Sequence, residues 1–237
     1  MASEKVNELL REGAQCRRIG DFGSARAAFQ EAVRLCAEAG DAQTLASGLL
    51  ALASLALDDP TATVSQHIHG LALVDDAIAV ERATSASETT FLGDALLLRA
   101  SLLSRGGGHP VEALETARDA RQLLERLDAS NWKMEEALSL VSSMARQAGR
   151  PAEALEAAEA LVRVCTELGD DQRGCYANVV AATAALECGE PRAVEDYVAE
   201  ARRLAEPRFR SGLGVRLREE LDRLEAEARK LRSSQPR

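Results

Sequence analysis

Val33-Arg34-Leu35-Cys36-Ala37-Glu38-Ala39-Gly40-Asp41 returns 129 residues later as Val162-Arg163-Val164-Cys165-Thr166-Glu167-Leu168-Gly169-Asp170. That offset divides into three steps of 43. A fixed period of this size marks a repeat array, in which each unit buries its apolar face only against its neighbours. Both copies end in Gly-Asp, where glycine supplies the left-handed cap of one helix and aspartate starts the next. An extended binding surface is therefore expected, in preference to a closed catalytic pocket.

Working outward, further turn signals stand at Gly20-Asp21, Asp58-Asp59-Pro60, Gly106-Gly107-Gly108-His109-Pro110, Gly149-Arg150-Pro151 and Gly189-Glu190-Pro191. Gly108, Gly149 and Gly189 are 41 and 40 residues apart, and Gly20 precedes Gly108 by 88, so one degenerate repeat should lie between them. The turns divide the chain into helix pairs: 4–18 with 22–39, 42–57 with 62–84, 88–105 with 110–127, 131–148 with 151–168, and 171–187 with 191–205. A closing helix is expected over about 212–232, with Leu217, Leu221, Leu224, Ala228 and Leu231 in one stripe. The second helices carry mostly small residues at i, i+4, i+7: Ala25/Phe29/Ala32, Ala113/Ala117/Ala120, Ala154/Ala158/Leu161 and Val194/Val198/Ala201. That spacing keeps each set on one face, where small side chains let helices approach closely.

These residues carry a family resemblance. Val6 to Leu35 resembles a tetratricopeptide (TPR) repeat, with Gly13 in the first helix, Gly20-Asp21-Phe22 at the turn, then Ala25, Phe29 and Ala32. Later repeats match more loosely, with Leu97, Leu138 and Asn178 where a large residue is common. The spacing of about 40–44 is similar to the longer-helix TPR variant of kinesin light chains and many bacterial regulators. The resemblance implies an all-α, right-handed α-solenoid of about five helix pairs plus a C-terminal capping helix. On this reading residues 1–205 form the array, and 206–237 the capping helix and a short disordered tail.

Composition agrees with an all-α chain: 46% hydrophobic, only 3% aromatic, and without hairpin signals. The net charge of −9 disfavours nucleic acid as the main ligand, although residues 202–237 hold eleven Lys/Arg against six Asp/Glu. Five cysteines in odd number, without close pairs, argue against a disulfide framework. The charged N-terminus is followed by no apolar run of signal-peptide length, and Leu45–Leu57 and Cys175–Leu186 are too short to span a membrane. A cytoplasmic protein without membrane contact is expected.

In TPR-like stacks the first helices line a concave groove, so the resemblance implies a weakly polar groove floor. Ser139, Ser143 and Thr183 would supply hydroxyls, Tyr176 an aromatic edge, and Arg99, Arg105 and Arg146 isolated positive charges. The partner expected is a protein or peptide, acidic or helical. Chaperone-binding TPR domains carry a Lys and an Asn where this chain has Leu10 and Ala14, so chaperone-tail recognition is not expected. The closing stripe offers a second route, self-association.

No catalytic, cofactor or metal residues emerge. Gly106-Gly107-Gly108 lacks the Gly-Lys-Ser/Thr of a phosphate loop. His67 and His69, two apart, lie on different sides of a helix. Asp58-Asp59 and Asp170-Asp171 suit helix starts and turns, Asp75-Asp76 reads as a solvated face, and Trp132 as a staple or exposed anchor. The function expected is a non-enzymatic adaptor or scaffold, with a ligand-peptide sensor, an assembly factor or a structural subunit as the alternative.

Overall fold

Helix-terminal chemistry sets the architecture of the computed structural model, which describes residues 2–206 and 212–234. Gly40 adopts φ 70° and ψ 20° at the end of one helix, and the Asp41 side chain then accepts a 3.1 Å hydrogen bond from the Thr44 N–H in the next. Gly169 and Asp170 repeat the device, as the duplicated phrase requires. Where no turn glycine exists, Asp59 is extended, and Thr63 and Gln66 form a reciprocal capping box.

The helices among the described residues are α1 (Ala2–Arg18), α2 (Phe22–Ala39), α3 (Ala42–Asp58), α4 (Val64–Thr84), α5 (Thr90–Gly107), α6 (Pro110–Arg126), α7 (Asn131–Gln147), α8 (Pro151–Leu168), α9 (Asp171–Glu187), α10 (Pro191–Ala205) and α11 (Gly212–Ser234). Their bounds fall within two residues of those read from the turns. No strand occurs among the described residues. None of the helices is long and apolar enough to cross a membrane.

The chain divides into two compact units, Met1–Leu127 and Asp128–Arg237. In the first, each helix packs mainly on helices adjacent to it in sequence. Val6, Leu9, Ala28, Ala32 and Cys36 join α1 to α2, and Ala53, Val74, Leu92 and Leu102 join α3, α4 and α5. In the second, Leu138, Leu161, Cys165 and Ala177 tie α7, α8 and α9 together. All four small-residue ladders of the second helices are buried. Cys36 and Cys165 are both 1% exposed, so the shared phrase contributes packing residues. Burial also pushes the Cys165 thiol up to about 11, with the Glu135 charge adding to it.

Helix α11 packs on α10 and α9, with Leu221, Leu224 and Ala228 fully buried. Arg202 of α10 pairs with Asp222 and Glu225, and Arg232 with Glu195. The central residues of the apolar stripe are thus covered by their own chain, as the capping reading expects. The tail expected at the C-terminus falls partly outside the described residues, at 235–237.

Candidate functional site

In the second unit, α7 and α9 present matched stripes of side chains. Arg173 donates to Glu135, Ser139 and Tyr176 share a 2.9 Å hydroxyl–hydroxyl bond, and Arg146 donates to Glu187 at 2.6 Å. These partners are 38, 37 and 41 residues apart, close to one repeat, so equivalent positions on successive first helices meet. Between the two ion pairs the face is uncharged, with Ser143, Val180 and Thr183 half-buried. The Thr183 hydroxyl donates back to the Val179 carbonyl within its helix. Tyr176 and Trp132 are each 51% exposed, and the Lys133 ammonium lies 5.1 Å from the Trp132 ring centroid.

Helix α11 borders this face electrostatically. The Glu220 carboxyl is held low, chiefly by the Arg223 hydrogen bond, with Arg146 contributing. Arg146 therefore answers to two carboxylates, and the reading of it as an isolated charge does not survive.

Arg99 and Arg105 belong to the first unit and are not isolated either. Arg99, with its side chain 23% exposed, donates through Nε to Asp75 of α4, and through its two terminal nitrogens to Thr116 and Glu112 of α6. Burial works against its charge, but Asp75 and Glu112 outweigh that and raise its pKa. It faces the crevice between α4 and α6, two second helices, and stands at one end of a cavity of about 460 Å³. Arg105 donates to the Leu57 carbonyl at 3.0 Å, near the α3 C-terminus, where the helix dipole favours a cation.

Five of the seven sequence candidates, Ser139, Ser143, Arg146, Tyr176 and Thr183, thus share the α7–α9 face, while Arg99 and Arg105 lie in the other unit. Sequence reasoning missed Glu135, Arg173 and Glu187, although their spacing carries the repeat period. Asp75 and Asp76 are exposed, as a solvated face requires, but Asp75 also anchors Arg99. His67 is buried with Nδ1 lacking a hydrogen-bond partner, against Gly106 of α5. No group of His, Cys, Asp and Glu among the described residues is arranged to hold a metal ion. The arrangement offers surface recognition: aromatic edges, hydroxyls and ion pairs on a helical frame.

No protein-family model matches the sequence, and no curated protein matches it. Similarity lies in solved structures. The nearly identical TPR-like repeats of a Podosopora anserina protein described as a kinesin light chain align over 88% of this chain and 98% of theirs, at 13% identity and a TM-score of 0.73. Aspartyl phosphate phosphatase F from Bacillus subtilis aligns over 95% of this chain and 56% of its own, at 12% identity and a TM-score of 0.75. A Rap protein complexed with Competence and Sporulation Factor aligns over 85% and 54%, at 14% identity and a TM-score of 0.66. The chain thus spans about half the length of these last two proteins. At such identities the likeness concerns architecture, and function has to be argued from the site. The chain has the TPR-like helical-repeat fold.

Proposed function

We propose that this protein is a non-enzymatic scaffold that binds a protein or peptide on the first-helix face of its second unit, and that it works in the cytoplasm. One observation carries the reading: α7 and α9 hold Tyr176 and Trp132 out to solvent beside two arginines fixed by ion pairs. Tyr, Trp and Arg are the side chains that dominate binding energy at protein interfaces. Because Glu187 and Glu135 already engage Arg146 and Arg173, the partner is selected by shape and apolar contact more than by acidity. Five free cysteines are in keeping with a reducing compartment.

The decisive experiment is crosslinked affinity capture from the native cell extract with the wild-type chain and a Trp132→Ala/Tyr176→Ala variant. Partners that appear with wild type and vanish with the folded variant support the site. Undiminished capture by the variant removes the α7–α9 face from the reading. The Rap structure, solved with a bound factor, favours a second reading in which the same scaffold senses a ligand. That version predicts a change in compactness on ligand addition, measurable by small-angle scattering.

A further inference from the structure

The crevice between α4 and α6 in the first unit has a feature that the Arg99 ion pairs do not consume. At one end Asp75 and Glu112 fasten Arg99. Farther along the same crevice stand Arg82 of α4 and Asp119 of α6, with Ile78 and Leu96 as apolar lining between the ends. Neither Arg82 nor Asp119 forms a hydrogen bond or an ion pair with any described residue, and they do not pair with each other. Arg99 itself uses one donor each from Nε and its two terminal nitrogens, which leaves two of the five N–H groups of a guanidinium without a partner. The cavity of about 460 Å³ has room for a small molecule.

The charge pattern selects the ligand class. A simple anion meets Arg82 and Arg99 but is opposed by Asp75, Glu112 and Asp119. A simple cation is drawn to Asp119 but opposed by the guanidinium of Arg82. A dipolar molecule satisfies both walls, and the apolar lining rewards an aliphatic side chain.

We propose that this crevice binds a small zwitterion of the aliphatic α-amino-acid class. The ligand carboxylate accepts hydrogen bonds from Arg82, while Arg99 at the far end adds only its positive field. Its ammonium donates to Asp119, and its side chain rests on Ile78 and Leu96. The site is independent of the α7–α9 face.

The test is calorimetric titration of the full chain with leucine, isoleucine, valine and methionine, each alongside its amide and its N-acetyl form. At least one free amino acid should bind, with both blocked forms weaker by tenfold or more. Arg82→Gln should erase the preference for the free acid over the amide, and Asp119→Asn the preference over the N-acetyl form. Both residues lack partners in the fold, so these variants are expected to stay folded. The wild-type comparison stands without them in any case. Absence of binding by all four amino acids, equal binding of the blocked forms, or indifference of binding to both substitutions would overturn the proposal.

Discussion

A methyl group built on the Cα of Gly13 falls 2.5 Å from Cε1 of Phe29, so the α1–α2 contact exists only because residue 13 has no side chain. Phe29 is 2% exposed, so its ring cannot yield by swinging into solvent without giving up its burial. Alanine would gain about 1 kcal/mol of helix propensity at position 13. Overpacking of this kind costs about 1–3 kcal/mol. Gly13→Ala is therefore expected to lower the denaturation midpoint. Gly23→Ala is the control, because a methyl there meets only Asp21 Oδ1 at 3.6 Å, and it should be neutral or mildly stabilising.

Arg99→Ala should destabilise the first unit by about 1 kcal/mol, because it removes a guanidinium that ties α4 to α6, while the half-exposed Asp75 and Glu112 can be resolvated. Arg99→Lys is expected to recover only part of the loss, since an ammonium lacks the planar fork that reaches three partners. Urea unfolding of both variants against wild type measures this.

Acid should loosen the starts of α2 and α3 and the turn that follows α3. Asp21, Asp41 and Asp59 all have pKa values below the ordinary 3.8, the first through the Ser24 backbone hydrogen bond and the others chiefly through threonine hydroxyls. A lowered carboxylate pKa contributes stability that is fully present above the unfolded value and lost as pH falls through the folded one. Thermal midpoints followed by circular dichroism should hold above about pH 5 and drop below pH 4. In Asp41→Asn the Asp41 share of that drop should be missing.

His67→Leu is expected to hold or raise stability, because the Nδ1 atom it removes is buried without a partner. An unsatisfied buried polar atom costs about 1–3 kcal/mol. A clear fall in the melting temperature would show that the imidazole serves an interaction outside the fold described.

Thiol labelling should separate the cysteines into two classes. Cys16 and Cys188 are partly exposed, whereas Cys36, Cys165 and Cys175 are buried. Brief treatment of the native chain with a thiol reagent, read by peptide mass spectrometry, should modify only the first pair. The other three should react on unfolding.

The helices were legible in the sequence because their signals are local. Gly40-Asp41 and Gly169-Asp170 encode a stop and a start within two residues, and the structure uses both. The side-chain partnerships were not, because they depend on how neighbouring helices are rotated. Arg99 finds Asp75 at 24 residues and Glu112 at 13, distances with no periodic meaning. Arg146 and Glu187 are different: their spacing of 41 is nearly one repeat, and a search for opposite charges at that offset would have found them. His67 gave no signal, since nothing in the residues around it reveals that its Cβ and backbone lie against Gly106.

Each helix finds its main partner next along the chain, so folding need not wait for distant segments to arrive. Chains built from such near-neighbour contacts pay little loop-closure entropy and fold fast. At the ribosome, where the N-terminal end emerges first, each hairpin can close and cover its alanine seam shortly after its own residues leave the exit tunnel. The short seam of small side chains thus limits how long apolar surface stays bare during synthesis.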